Sequence, residues 1–464
     1  MQIKTAFAII SLLTRGAFSQ SINDLSTWPP GPGQALQPQQ PDVELVSILS
    51  QIDPNRIQTI IEKLVSFGTR HTCSNQTDPV RGIGAARDWI ASQMQSFAAQ
   101  SNGQMVVTVP SYLQAATKSG SIPHDTVISN IIATLKGTQE PNRVYVVSGH
   151  YDSRVTDILN FTDDAPGADD DGSGVAISME LARIMATHKP AATIIFAVVA
   201  GEEQDLFGSN FLATTLKKNG TDVQGMLDND IVGASVGDDG TVDKTNIRMF
   251  VSGLPPSNTA SQNSNLASIG GENDSPAHQL GRFVAEVSQN SVTNMSVRAI
   301  YRPDRFLRGG DQESFLSQGF PAVRFTEPHE NFAHQHQDVR VVNGVQFGDL
   351  AQFVDFKFTA QVGKVNGAAI WSLAQAPGTP KGLVIDTSNL TNNSTLKWNA
   401  DSNPNIAGYE VVWRATYLPE WTNVISVGKV NTATVNLSKD NVQMGVRAVG
   451  KNGFKSPAAF PMPG

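Results

Sequence analysis

From Pro54 onward, apolar residues recur at helical spacing, first at Ile57, Ile60, Ile61 and Leu64, then at Ile83, Ala86, Trp89, Ile90 and Met94. Side chains three and four positions apart share one face of a helix, so each set predicts a helix with a buried stripe. The pattern then changes. The runs VYVVSG ending at Gly149, TIIFAVVAG ending at Gly201 and MLDNDIVG ending at Gly233 are rich in β-branched residues and apolar at consecutive positions, which predicts strands covered on both faces. Helical stretches from Val175 to Thr187 and from Phe207 to Lys218 lie between them. PAVRFTE predicts a further strand ending at Glu327, and a long periodic helix from Phe347 to Leu373 closes the unit. This alternation predicts an α/β fold with a mostly parallel central sheet flanked by helices.

The stretch AQAPGTPKG, rich in Pro, Gly and Ala, ends that unit, which is assigned residues 54–375 and is expected to fold without the C-terminal tail. Residues 380–464 carry alternating runs (LKWNA, GYEVVWRA and VQMGVRAVGKNGFKSP) separated by turn signals, which predicts an all-β sandwich of about seven strands. Trp398, Tyr409 and Trp413 are its expected core. At the other end, residues 1–19 place Lys4 ahead of an apolar run from Ala6 to Leu13 and small residues at Ala17 and Ser19. That is the layout of a secretory signal peptide, and the run is too short to span a bilayer. Residues 20–53 form a Pro/Gln-rich segment expected to drape over the surface or to be removed.

Composition narrows the function classes. The chain of 464 residues is 40% hydrophobic and 16% charged, enough for a large core, and its 42 acidic against 34 basic residues give a net charge of -8. No basic field gathers phosphates, so nucleic acid is excluded as a partner, and no later run is long enough for a membrane span. Asn-x-Ser/Thr sequons at Asn75, Asn160, Asn219, Asn273, Asn294, Asn389, Asn392, Asn393 and Asn436 agree with secretion to the extracellular space and glycosylation. Cys73 is the single cysteine, so no intrachain disulfide forms.

Five polar segments fall just past apolar strands or in Gly-rich turns: S-G-H-Y-D at 148–152, P-G-A-D-D-D-G-S-G at 166–174, A-G-E-E at 200–203, D-N-D-I-V-G at 228–233 and H-Q-H-Q-D at 334–338. Ligands of open α/β sheets bind outside the carboxyl ends of the strands, where these segments would converge. Taken singly, each has an ordinary structural explanation, such as a hydrogen-bonded histidine or an acidic helix start. Together they supply the imidazole nitrogens and carboxylate oxygens that zinc accepts, in numbers sufficient for two neighbouring ions sharing one carboxylate.

In this order the five motifs resemble the secreted co-catalytic di-zinc aminopeptidases, whose relatives include glutamate carboxypeptidases and glutaminyl cyclases. The resemblance covers roughly residues 55–370. The tail resembles a fibronectin type III module, a combination seen in secreted fungal zinc metalloproteases. The resemblance implies two zinc ions per chain, peptide or protein substrates and removal of a terminal residue, with the amino terminus preferred. It implies that His150 and Asp230 hold one ion, Glu203 and His334 the other, and that Asp170 bridges them. His334 is preferred to His336 on spacing, and Asp230 to Asp228 because it directly precedes Ile-Val-Gly. Asp152 would fix the orientation of His150, and Glu202 would be the general base. Two positions depart from the family: Gln312 replaces a histidine in G-G-D-Q-E-S-F, and Leu307 stands where some relatives carry a tyrosine that Tyr301, Arg305 or Arg308 would have to replace. The rival readings are a mono-zinc glutaminyl cyclase-like acyltransferase and a non-catalytic binding ectodomain. The tail is expected to bind another protein or a polysaccharide.

Overall fold

A computed structural model describes residues 28–118 and 120–464, so the expected signal peptide, residues 1–19, lies outside the described residues. An eight-stranded sheet runs through the molecule in the order Ser296–Ile300, Asn246–Val251, Ala322–Thr326, Asp222–Asn229, Glu140–His150, Ala192–Val199, Ile131–Leu135, Met105–Thr108. The four strands from Ala322–Thr326 to Ala192–Val199 are mutually parallel. Asn246–Val251 on one side and Ile131–Leu135 on the other pair antiparallel with this block, so the central sheet is mixed, with parallel pairings in the majority. Parallel neighbours need a crossover helix, and Gly172–Met185 and Phe207–Lys218 supply two of them at the centre.

The consecutive apolar runs have a direct structural counterpart. In the strand ending at His150, Tyr145 and Val147 join the larger core cluster while Val144 and Val146 join the smaller one on the opposite face. In the next strand, Ile194, Phe196 and Val198 pack one way and Ile195, Ala197 and Val199 the other. Because alternate strand residues point to opposite faces, two covered faces require apolar residues at every position. The closing helix is shorter than expected, Phe356–Gln375. Asp355 caps it, accepting from the amides of Lys357 and Phe358, and the residues before it form a small hairpin, Arg340–Val342 with Val345–Phe347.

The tail contributes seven strands to two four-stranded sheets, with Trp398, Tyr409 and Trp413 in their shared core. The eighth strand is Gln34–Ala35, from the segment expected to drape or be removed, which pairs antiparallel with Asn423 and Val424. Its neighbours reinforce the docking: the Trp413 indole donates to Pro32 O (2.9 Å) and the Leu36 amide to Thr422 O (2.9 Å). The tail also packs on the helix Pro276–Ser288 through buried charge. Asp274, 1% exposed, lies between Arg282 (2.9 Å) and Arg414 (2.6 Å), and Arg447 pairs with Glu286 (3.0 Å). Among the described residues no helix is long and apolar enough to cross a membrane.

Candidate functional site

At the carboxyl ends of the parallel strands, two groups of imidazoles and carboxylates converge: His150, Asp170 and Asp230, and Asp170, Glu203 and His336. Within each group the candidate ligand atoms lie within 4.8 Å of one another. His150 is the last residue of its strand; its Nε2 lies 3.2 Å from Asp170 Oδ1 and 3.7 Å from Asp230 Oδ2. Asp170 turns its other oxygen, Oδ2, to His336 Nε2 at 2.8 Å, and the same nitrogen is 3.0 Å from Glu203 Oε1. One carboxylate therefore faces both groups.

The three aspartates of the triplet have different partners. Asp169 accepts from the Gly233 amide (2.6 Å), while Asp171 caps the helix Gly172–Met185 at Gly174 N (2.8 Å) and accepts from His150 N (2.9 Å). Only Asp170 is left for the cluster. Asp152, fully buried, accepts from the amides of Glu202 (3.3 Å) and Glu203 (3.1 Å), and its Oδ1 lies 3.6 Å from His150 Nδ1. The carboxylate therefore holds the Glu-Glu pair, while the hydrogen bond to the imidazole comes from the Asp152 backbone carbonyl, 3.2 Å from His150 Nδ1. Asp230 follows its strand directly and precedes Ile231, a β-branched residue in the left-handed region (φ 59°), where backbone strain is typical of a functional turn. Asp228 points elsewhere, accepting from Ser148 Oγ and Gln312 N.

The histidine expected in this cluster is not the one found there. His334 stacks on Phe353 with ring centroids 3.6 Å apart, and His336 takes the position beside Asp170 and Glu203. The cause is the backbone. Asn331 O accepts from the amides of both His334 and Gln335, forming a tight turn, and His336 leaves it in the left-handed region (φ 53°), which carries its ring to the cluster. Tyr301, Arg305 and Arg308 have their polar groups committed to other partners: Tyr301 donates to Pro419 O (3.2 Å), and both arginines pair with Glu330. Leu307 is 97% exposed.

Burial and crowding of like charge push the Glu202 carboxyl well above the ordinary range, with Asp230, Glu203 and Asp311 adding to the burial effect against His150. Asp170 moves the other way: burial alone would raise it, but the imidazoles of His336 and His150 hold it well below. His336, despite the opposing cost of burial, is pushed up to about 10 by Glu203 and Asp170. The donor set fits zinc. His150 Nε2, Glu203 Oε1 and Asp230 Oδ1 are buried without a hydrogen-bond partner, although carboxylates and imidazoles crowd around them. Such groups are costly to bury unless they share a cation.

Several residues that hold the site belong to none of the five motifs. Asp349 accepts from the amides of Asp169 (2.9 Å) and Asp170 (2.8 Å), and the Arg70 guanidinium donates to Tyr151 O, Pro166 O and Gly167 O. Asp311, 1% exposed, has no hydrogen-bond partner on either oxygen, and burial raises it to about 6. Arg324 contacts Asp230 at 2.7 Å. Asp349, Arg70 and Arg324 lie far in sequence from what they support and no local pattern marks them, whereas Asp311 lies in the G-G-D-Q-E-S-F segment.

Residues 130–342, a span that contains all five cluster residues, match the profile of peptidase family M28. A probable zinc metalloprotease of Pyrenophora teres f. teres is 55% identical over 441 residues, covering 94% of this chain and 91% of the relative. One from Pyricularia oryzae is 54% identical over 448 residues, covering 95% and 89%. Among solved structures, LapB from Legionella pneumophila is similar with a TM-score of 0.51 at 18% identity, covering 74% of this chain and 78% of that one. The LapA aminopeptidase of the same organism has a TM-score of 0.50 at 15% identity, covering 72% and 74%. These two likenesses concern the fold.

Proposed function

Since the chain belongs to peptidase family M28 and is a zinc metallopeptidase acting on peptides or proteins, we propose that it is a secreted two-zinc exopeptidase that removes residues from the amino terminus of its substrates. The observation that carries the count is the division of Asp170, Oδ1 toward His150 and Oδ2 toward His336. His150, Asp170 and Asp230 would hold one ion, and Asp170, Glu203 and His336 the other, three protein ligands each, which leaves room for water. Zinc bound there polarises the scissile carbonyl and lowers the pKa of water.

The protein's own residues do the rest. Glu202, whose carboxyl lies at the edge of the cluster, 4.0 Å from His150 Nε2, takes the proton of the attacking water and passes it to the leaving amine. The Asp152 carboxylate, by accepting both amides of the Glu-Glu pair, keeps Glu202 aimed at the cleft and Glu203 at His336. Secretion is supported by the sequon asparagines, of which Asn160 is half-buried and the others are exposed. The tail is read as a fibronectin type III-like sandwich, supported by its two sheets and by its core around Trp398, Tyr409 and Trp413.

The test is zinc per chain by mass spectrometry, together with hydrolysis of amino-acid amides and of their N-acetylated forms. Two ions, with activity confined to the free amines, are expected. A stable stoichiometry of one, or equal hydrolysis of the blocked substrates, would refute the two-zinc or the amino-terminal part respectively.

A further inference from the structure

Arg324 is an unusual residue for its place. It lies within the strand Ala322–Thr326, between Val323 and Phe325 of the core, opposite Asp228 in the neighbouring strand, and is 0% exposed. A buried guanidinium is costly unless its donors are matched. Its partners here are specific: Nη1 lies 3.1 Å from Asp304 Oδ2 and donates to Gly309 O, and Nη2 lies 2.7 Å from Asp230 Oδ2 as an ion pair, without the alignment of a hydrogen bond. The loop carrying Asp304 and Gly309 is shaped around it, since a Cβ at Gly310 would collide with Arg324 Nη1. Asp304, 4% exposed, is itself held by the Gln312 side-chain amide (2.8 Å) and by Arg305 (3.0 Å). With Oδ2 in that ion pair, Asp230 keeps Oδ1 buried without a hydrogen-bond partner.

We propose that Arg324 is a positioning residue for Asp230. Its fork, anchored on Asp304 and Gly309, sets the orientation of the Asp230 carboxylate, so the metal position formed by His150, Asp170 and Asp230 depends on the 304–310 loop and the one formed by Asp170, Glu203 and His336 does not. The inference rests on the two-zinc reading and adds that the two positions are supported separately. A planar fork can hold two partners at fixed angles, whereas an ammonium on a flexible stem cannot, so Arg324→Lys keeps the charge and removes the grip.

The experiment is a stepwise zinc titration of the full-length metal-free protein against a competing chelator, with thermal melting of the same samples. Arg324→Lys is expected to weaken one of the two steps by about 10-fold to 100-fold, the range for loss of a residue that orients a metal ligand, and to leave the other at the wild-type value. Asp304→Asn, which keeps the shape of the outer anchor, should weaken the same step, and the double variant should lose no more than Arg324→Lys alone. Equal weakening of both steps, or a lowered melting temperature with both steps intact, would mean that Arg324 is only a structural ion pair and would overturn the proposal. If wild-type protein shows a single step, the two-zinc reading fails instead.

Discussion

His334 and His336 are separated by one glutamine, yet one lies on an aromatic ring and the other between two carboxylates. Their substitution should separate them functionally. His336→Ala is expected to lose zinc and activity, while His334→Ala keeps the zinc content of wild type; loss of zinc in the second variant alone would reverse the assignment. The protonation of His336 gives a second test. In the metal-free protein its pKa stands at about 10, above the value of 6.5 for an unperturbed imidazole, so the stabilisation it gains from Asp170 and Glu203 is fully present below that lower value and is lost as pH rises through the upper one. Zinc must displace that proton, so zinc affinity should rise with pH across neutrality and binding should release protons. Calorimetry in buffers of different ionisation heat reads this directly, and no buffer dependence would contradict it. Glu202 separates chemistry from metal binding. Glu202→Gln should keep zinc and melting temperature while turnover falls by about 100-fold to 10,000-fold, the range for a positioned general base; Glu203→Gln should instead weaken zinc binding, and normal turnover in Glu202→Gln would remove the residue from the mechanism.

At the scale of elements, the site is built where strands stop and helices start. Asp171 links the two, since one carboxylate caps the helix Gly172–Met185 at Gly174 N and also receives the His150 amide at the end of the preceding strand. Asp171→Ala should therefore cost more than the roughly 1 kcal/mol usual for a lost cap, because a buried strand-end amide loses its partner as well. Denaturant unfolding of the metal-free protein measures this, and a cost below that of an ordinary cap would show that the second hydrogen bond contributes nothing. Strand and helix types in this region were legible because the two-sided burial of Val144 to Val147 and of Ile194 to Val199 leaves its mark on consecutive residues. The start of the closing helix was not legible, because the apolar residues from Phe347 to Phe353 serve a hairpin and a 3-10 turn with the same hydrophobicity a helix would have.

For the molecule as a whole, the Pro/Gly-rich linker predicts two units, and the contacts show the two packed against each other. The buried group of Asp274 with Arg282 and Arg414, the Arg447–Glu286 pair, and the hydrogen bond from the Trp421 indole to Gln279 (3.0 Å) all cross between the α/β unit and the sandwich. Removing one partner from a buried ion pair typically costs about 3–5 kcal/mol. Asp274→Asn should thus lower stability by a few times the effect of a surface substitution, and a chain ending near Gln375 should fold but melt below wild type. Denaturant and thermal unfolding of both variants test this; a truncated chain as stable as the full one would show that the interface contributes nothing to stability. The strand Gln34–Ala35 adds to the joining, since it comes from the opposite end of the chain.

The sequence by itself determined what local pattern can encode, the α/β alternation and the sandwich core, and its five motifs pointed to His150, Asp170, Glu203 and Asp230 through their resemblance to a known family. Tertiary structure decided what depends on direction and on distant partners. The choice of His336 rests on one left-handed residue after a turn. The antiparallel neighbours of the central sheet depend on which edges the chain returns to, and Arg324, Asp349 and Gln34–Ala35 find their partners across long stretches of chain. Spacing along a chain fixes which residues share a strand or a helix face, whereas the convergence of a buried site is set by the packing of elements against one another, which no single segment specifies.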